Sequence, residues 1–75
     1  MSNKEELQLS IGKRIRELRE RKGLTQQQVA DACDFEKSNM SRLEAGGTNP
    51  TLFTLKKIAD FLELTLNDLV TFETK

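Results

Sequence analysis

Apolar positions recur at helical spacing along most of this chain, and they predict five helical segments separated by short breaks. The first runs from about Lys4 to Lys22, with Leu7, Ile11, Ile15 and Leu18 on one face. Gly23 stops it as a C-terminal cap, and Leu24 can pack back on the last turn. The second starts at Thr25, an N-cap that forms a capping box with Gln28, and it is only about nine residues long. Val29, Ala30 and Cys33 supply its buried side. A tight break follows at Asp34-Phe35-Glu36, where Asp34 can take a left-handed backbone. The third segment covers about Lys37 to Ala45 and ends at Gly46-Gly47. The fourth, entered through Asn49-Pro50, spans about Thr51 to Leu62, with a core stripe of Leu52, Leu55, Ile58, Ala59 and Leu62. The fifth is short, Leu66 to Val70, capped by Thr65 with Asp68. The expectation is an all-α, compact five-helix fold forming a single domain over residues 1–75.

Two short helices joined by a tight turn in the middle of a small helical domain have the outline of a helix-turn-helix. The third segment divides its labour. At about 100° per residue, Met40 and Leu43 point one way, and Lys37, Ser38, Ser41, Arg42 and Ala45 the other. The apolar side is thin, enough to dock the helix. The other side carries small residues, which permit close approach to a surface, and two long cations able to reach guanine or phosphate in a major groove. These positions alone are equally compatible with an exposed helix carrying ordinary polar residues.

Charge sharpens this picture less than its total suggests. The 75-residue chain has formal net charge zero, which counts against DNA binding. Yet residues 13–22 hold six basic and two acidic side chains, whereas residues 51–75 hold three and four. The plain reading of the basic stretch is a solvated helix face with local ion pairs such as Glu17–Arg21. The composition, 36% hydrophobic and 32% charged, suits a small folded core. The single cysteine, Cys33, excludes an intramolecular disulfide and a cysteine metal cluster, and fits a reducing cytoplasm. The polar start, Met1 to Glu6, is no signal peptide, and no apolar run is long enough to span a membrane. With no histidine, and with Cys33 on an apolar helix side without a base, an enzyme is not expected, and neither is a cofactor or metal.

The run Ile11-Gly12-Lys13-Arg14-Ile15-Arg16-Glu17-Leu18-Arg19, then Gly23-Leu24-Thr25-Gln26 and Val29-Ala30, resembles the lambda repressor/Cro type of helix-turn-helix family, often called XRE-like. Ser41-Arg42-Leu43-Glu44, Gly46, Asn49-Pro50-Thr51 and Leu55, Ile58, Ala59, Leu62 and Leu69 extend the likeness over about residues 11–70. The resemblance implies sequence-specific binding of double-stranded DNA by a small transcriptional regulator, with the third helix in the major groove. By resemblance, Lys37, Ser38, Ser41 and Arg42 fall at base-reading positions, Arg42 foremost because its fork suits guanine; Lys37 and Arg42 could instead touch only phosphate. Gln26 matches a phosphate clamp, or is a surface glutamine of the capping box. Asn39, Thr48 and Asn49 match backbone contacts, though Asn49 could be only a turn residue. Arg19 and Glu44 match a structural ion pair. The chain departs from the family at Asp34, where glycine is usual, and at Glu36, where a serine or threonine cap is common; both also put negative charge near the DNA.

Phe53 falls opposite the core stripe of the fourth helix, Phe61 at its border, and Val70 and Phe72 near the end of the chain. These four are the candidates for a homodimer interface, which would set two reading helices about 34 Å apart on a palindromic site. Otherwise Phe61 and Phe72 are ordinary core or core-edge residues. The rival function is a protein-interaction module, such as the antitoxin of a toxin pair. The resemblance also permits a short controller protein of a restriction-modification system.

Overall fold

The computed structural model describes residues 3–71. Five helices follow in order: α1 Lys4–Arg21, α2 Gln26–Ala32, α3 Lys37–Glu44, α4 Leu52–Phe61 and α5 Leu66–Val70. Their starts are set by side chains that satisfy the free N–H groups of a first turn. Asn3, Thr25 and Thr65 each form a reciprocal capping box, with Glu6, Gln28 and Asp68 respectively, and Thr51 caps Thr54. Glu36, at the start of α3, makes no side-chain capping bond. That start therefore depends on tertiary packing.

The ends are alike too. At the close of α1 the N–H of Gly23 donates to the carbonyl of Glu20, and that of Leu24 to Arg19. The same two-bond pattern closes α2 through Asp34 and Phe35, α3 through Gly46 and Gly47, and α4 through Glu63 and Leu64. The pattern needs a left-handed residue, and Asp34 (φ 64°) and Glu63 (φ 60°) adopt that backbone without being glycine. In three of the four closures the next residue, Leu24, Phe35 or Leu64, folds back onto the core. Helix termination and core packing are thus one event.

The core is Ile15, Leu18, Val29, Ala30, Cys33, Met40, Leu43, Leu55, Ile58, Ala59, Leu62 and Leu69. Helix α1 lies against α3 and α5, α2 packs on α3 and α4, and α4 meets α5. Gly12 is what lets α1 and α3 touch. A Cβ there would stand 2.5 Å from the carbonyl oxygen of Leu43 and 2.6 Å from that of Glu44. Arg14 ties α1 to α5 by donating from Nε to the carbonyl of Asp68 at 2.9 Å.

Two expectations fail. Leu7 and Leu52 share the direction of their core stripes, yet they are 47% and 72% exposed. Leu7 stands in the first turn of α1 and Leu52 is the first residue of α4. At a helix end the direction is right but no neighbouring element reaches far enough to cover the side chain. Helix α5 has the expected bounds, α1 and α3 end one residue early, α4 is a residue shorter at both ends, where the caps lie, and α2 is seven residues long, shorter than expected.

Candidate nucleic-acid interface

Helix α3 is held from behind. Met40 and Leu43 sit in the core, and Glu44 is 6% exposed. A buried carboxylate is costly unless it is paired and fully bonded. Glu44 is both. Arg19 grips it with two bonds, Nε to Oε2 at 2.7 Å and Nη2 to Oε1 at 3.0 Å. The same guanidinium donates from Nη1 to the carbonyl of Leu24 at 2.6 Å, in the turn before α2. The hydrogen bond to Glu44 raises the Arg19 pKa, with burial opposing, so the arginine stays charged. Gln26 completes the cluster, donating from Nε2 to Glu44 Oε1 at 2.9 Å. One carboxylate thereby joins α1, α2 and α3. Removing either member of the ion pair would strand a buried charge, a loss of about 3–5 kcal/mol.

The opposite side of α3 is open. Lys37, Ser38, Ser41, Arg42 and Ala45 are all exposed, and Asn39 is half-buried at the border. No carboxylate among the described residues pairs with Lys37 or Arg42. Arg42 instead donates from Nη2 to Oδ1 of Asn39 at 2.8 Å. Beside this face, Thr48 and Asn49 of the α3–α4 loop join Phe35, Asn39, Leu43, Pro50, Thr51 and Thr54 around a cleft of about 260 Å³. The loop is held to α1 by Gln8, which donates to the carbonyl of Gly46 at 3.1 Å.

The basic stretch of α1 behaves differently. Arg14 pairs with Glu17 at 2.8 Å, Arg16 with Glu20 at 3.2 Å, and Arg21 with Glu17 at 3.7 Å. These arginines are paired along the helix, whereas exposed Lys13 and Lys22 join none of the ion pairs among the described residues, and neither do Lys37 and Arg42 of α3. Asp34 and Glu36 are exposed at the head of α3.

The structure thus groups Lys37, Ser38, Ser41 and Arg42 on one outward surface, flanked by Asn39, Thr48 and Asn49. Gln26 it places elsewhere, with one amide N–H turned inward to Glu44. Sequence reasoning missed that turn, and it missed the close approach at Gly12 and the bracing by Gln8. Of these, only Gly12 carries a signal along the chain: a glycine inside a good helix implies close backbone packing. Phe53, Phe61 and Val70 are 71%, 39% and 42% exposed, and Lys57 Nζ lies 5.2 Å from the centre of the Phe53 ring. Phe72 lies outside the described residues. Cys33 is buried, and burial pushes its thiol pKa up, away from reactivity. No helix among the described residues is long and apolar enough to cross a membrane.

Comparison with known proteins adds a lineage to this geometry. The profile of the family described as "Helix-turn-helix domain" matches residues 10–71. An HTH-type transcriptional regulator, DdrOP3 of Deinococcus deserti, is 37% identical over 62 residues, covering 83% of this chain and 48% of that protein. The uncharacterized HTH-type transcriptional regulator y4dJ of Sinorhizobium fredii is 39% identical, covering 81% of this chain and 79% of its own. The chain therefore spans about half of the first relative and most of the second. Among solved structures, the restriction-modification controller protein C.AhdI of Aeromonas hydrophila superposes with a TM-score of 0.79 at 33% identity, covering 81% of this chain and 92% of that one.

Proposed function

This chain belongs to the helix-turn-helix domain family, and on that premise we propose that it is a transcriptional regulator that lays α3 in the major groove of double-stranded DNA. It is not an enzyme. The observation that carries the reading is the division of α3, with Met40, Leu43 and Glu44 anchored and Lys37, Ser38, Ser41 and Arg42 outward. Those four are the base-reading set, and Arg42 takes a guanine. Thr48 and Asn49 contact phosphate beside them. Gln26 contacts phosphate through the second N–H of its amide, the first being held by Glu44. Asn39, expected on a phosphate, has its amide oxygen turned to Arg42. The domain works in the cytoplasm, paired with a second copy through Phe53, Phe61, Val70 and Phe72. The similarity to regulators and to a controller protein favours this reading over an antitoxin bound to a toxin.

Fluorescence anisotropy with duplex DNA across a salt series tests it. Binding should give a negative slope of log K against log salt, shallow because few cations face the backbone. Arg42→Ala should relax the preference at one base pair and cost about 1–3 kcal/mol at the preferred site. Absence of DNA binding at low salt, with α-helical content intact, overturns the reading.

A further inference from the structure

Arg42, the side chain best placed to read a base, is tethered by the bond from its Nη2 to Asn39 Oδ1, 2.8 Å long and one turn back along α3. Asn39 is half-buried and Arg42 is exposed, so the bond runs from an anchored group to a free one. Asn39 also lines the cleft with Leu43, Thr48 and Asn49. A neutral amide oxygen is an apt tether. It fixes the direction of a guanidinium without cancelling its charge, as a carboxylate would. The guanidinium has five N–H donors in all, so one bond to Asn39 leaves four for the O6 and N7 of a guanine. An arginine aimed in advance loses less rotamer freedom when it docks, and that saving is realised only where the base can accept the fork.

Resting on the reading of α3 as a major-groove helix, we propose that Asn39 is a positioning residue that aims Arg42 and sets how strongly this protein prefers guanine at one base pair. A phosphate contact would act differently, strengthening binding to every sequence alike.

The two roles separate in a double-mutant cycle read on a randomised duplex pool. Selection and sequencing give the base preference of the wild type, Asn39→Ala, Arg42→Ala and the double variant, and circular dichroism confirms that each is folded. Arg42→Ala should abolish the preference at one position. Asn39→Ala should weaken that same preference by roughly three- to tenfold, the worth of one such hydrogen bond, and should change nothing further once Arg42 is gone. Asn39→Asp, which keeps an acceptor oxygen and lacks the amide donors, should retain the preference even as its charge lowers affinity overall. A uniform loss of affinity in Asn39→Ala with the preference intact overturns the proposal, as does the same loss in both Arg42 backgrounds or a lost preference in Asn39→Asp. A wild type that enriches no sequence overturns the reading of α3 itself, and the positioning role with it. A preference that survives Arg42→Ala overturns the positioning role alone.

Discussion

At the scale of single residues, Gly12 shows how one hydrogen decides a helix packing. Alanine in its place would gain up to about 1 kcal/mol of helix propensity. Its methyl group would also meet two backbone carbonyl oxygens at 2.5 and 2.6 Å, and backbone cannot swing aside as a side chain can. Overpacking of this kind costs about 1–3 kcal/mol, so the clash wins. Gly12→Ala should lower the urea midpoint of unfolding, whereas Gly47→Ala, whose nearest neighbour stands at 3.5 Å, should leave it nearly unchanged. Equal midpoints for Gly12→Ala and the wild type would mean that α1 and α3 do not meet as described. Lys37, Ser38, Ser41 and Arg42 were legible as an outward set because a helix of known pitch fixes direction. The inward turn of Gln26 was not. Its partner Glu44 lies 18 residues away in sequence, and only the packing of three helices brings them together.

At the scale of helices, the caps made this chain readable. Thr25 and Thr65 mark two starts, and the signals are local, needing no knowledge of the rest of the molecule. Leu7 and Leu52 were misread because periodicity reports which way a side chain points and nothing of how far the neighbouring surface extends. The shortest helix offers a test in pH. Asp68 Oδ2 accepts a hydrogen bond from the backbone N–H of Thr65 at 2.9 Å, and hydrogen bonding to Thr65 holds its carboxyl below the usual range, with a smaller contribution from Arg14. A carboxyl depressed in the folded state lends stability above its unfolded-state pKa and forfeits it as pH falls through the folded value. The wild type should therefore be more stable than Asp68→Ala at neutral pH, and the gap should narrow steadily as pH drops below the ordinary carboxylate range. Urea unfolding of both proteins across that window reads the gap, and a gap constant with pH would remove Asp68 as its source.

At the scale of the molecule, charge and exposed apolar surface set the behaviour. Along the chain, the plain reading of the basic run of α1 is a solvated helix face with local ion pairs such as Glu17–Arg21. The structure shows such pairs. Leu52, Phe53, Phe61 and Val70 remain exposed. Burial of a phenylalanine contributes about 1.5–3 kcal/mol, and a two-fold interface counts each such residue twice. Sedimentation equilibrium at micromolar concentration should give the mass of two chains, and Phe53→Glu should shift it toward one while the thermal melt retains a cooperative transition. A monomer mass for the wild type, or a dimer indifferent to Phe53→Glu, would dismiss this surface as the contact.

The grip on Glu44 has a consequence for how such a protein changes over time. The groups that fasten α3 to the body, Arg19, Gln26 and the carbonyls resting on Gly12, share no atoms with the side chains that face outward. Lys37, Ser38 and Ser41 can therefore be exchanged with the scaffold undisturbed. The molecule is a fixed mount with a replaceable stylus, able to acquire a new target without first learning to fold again.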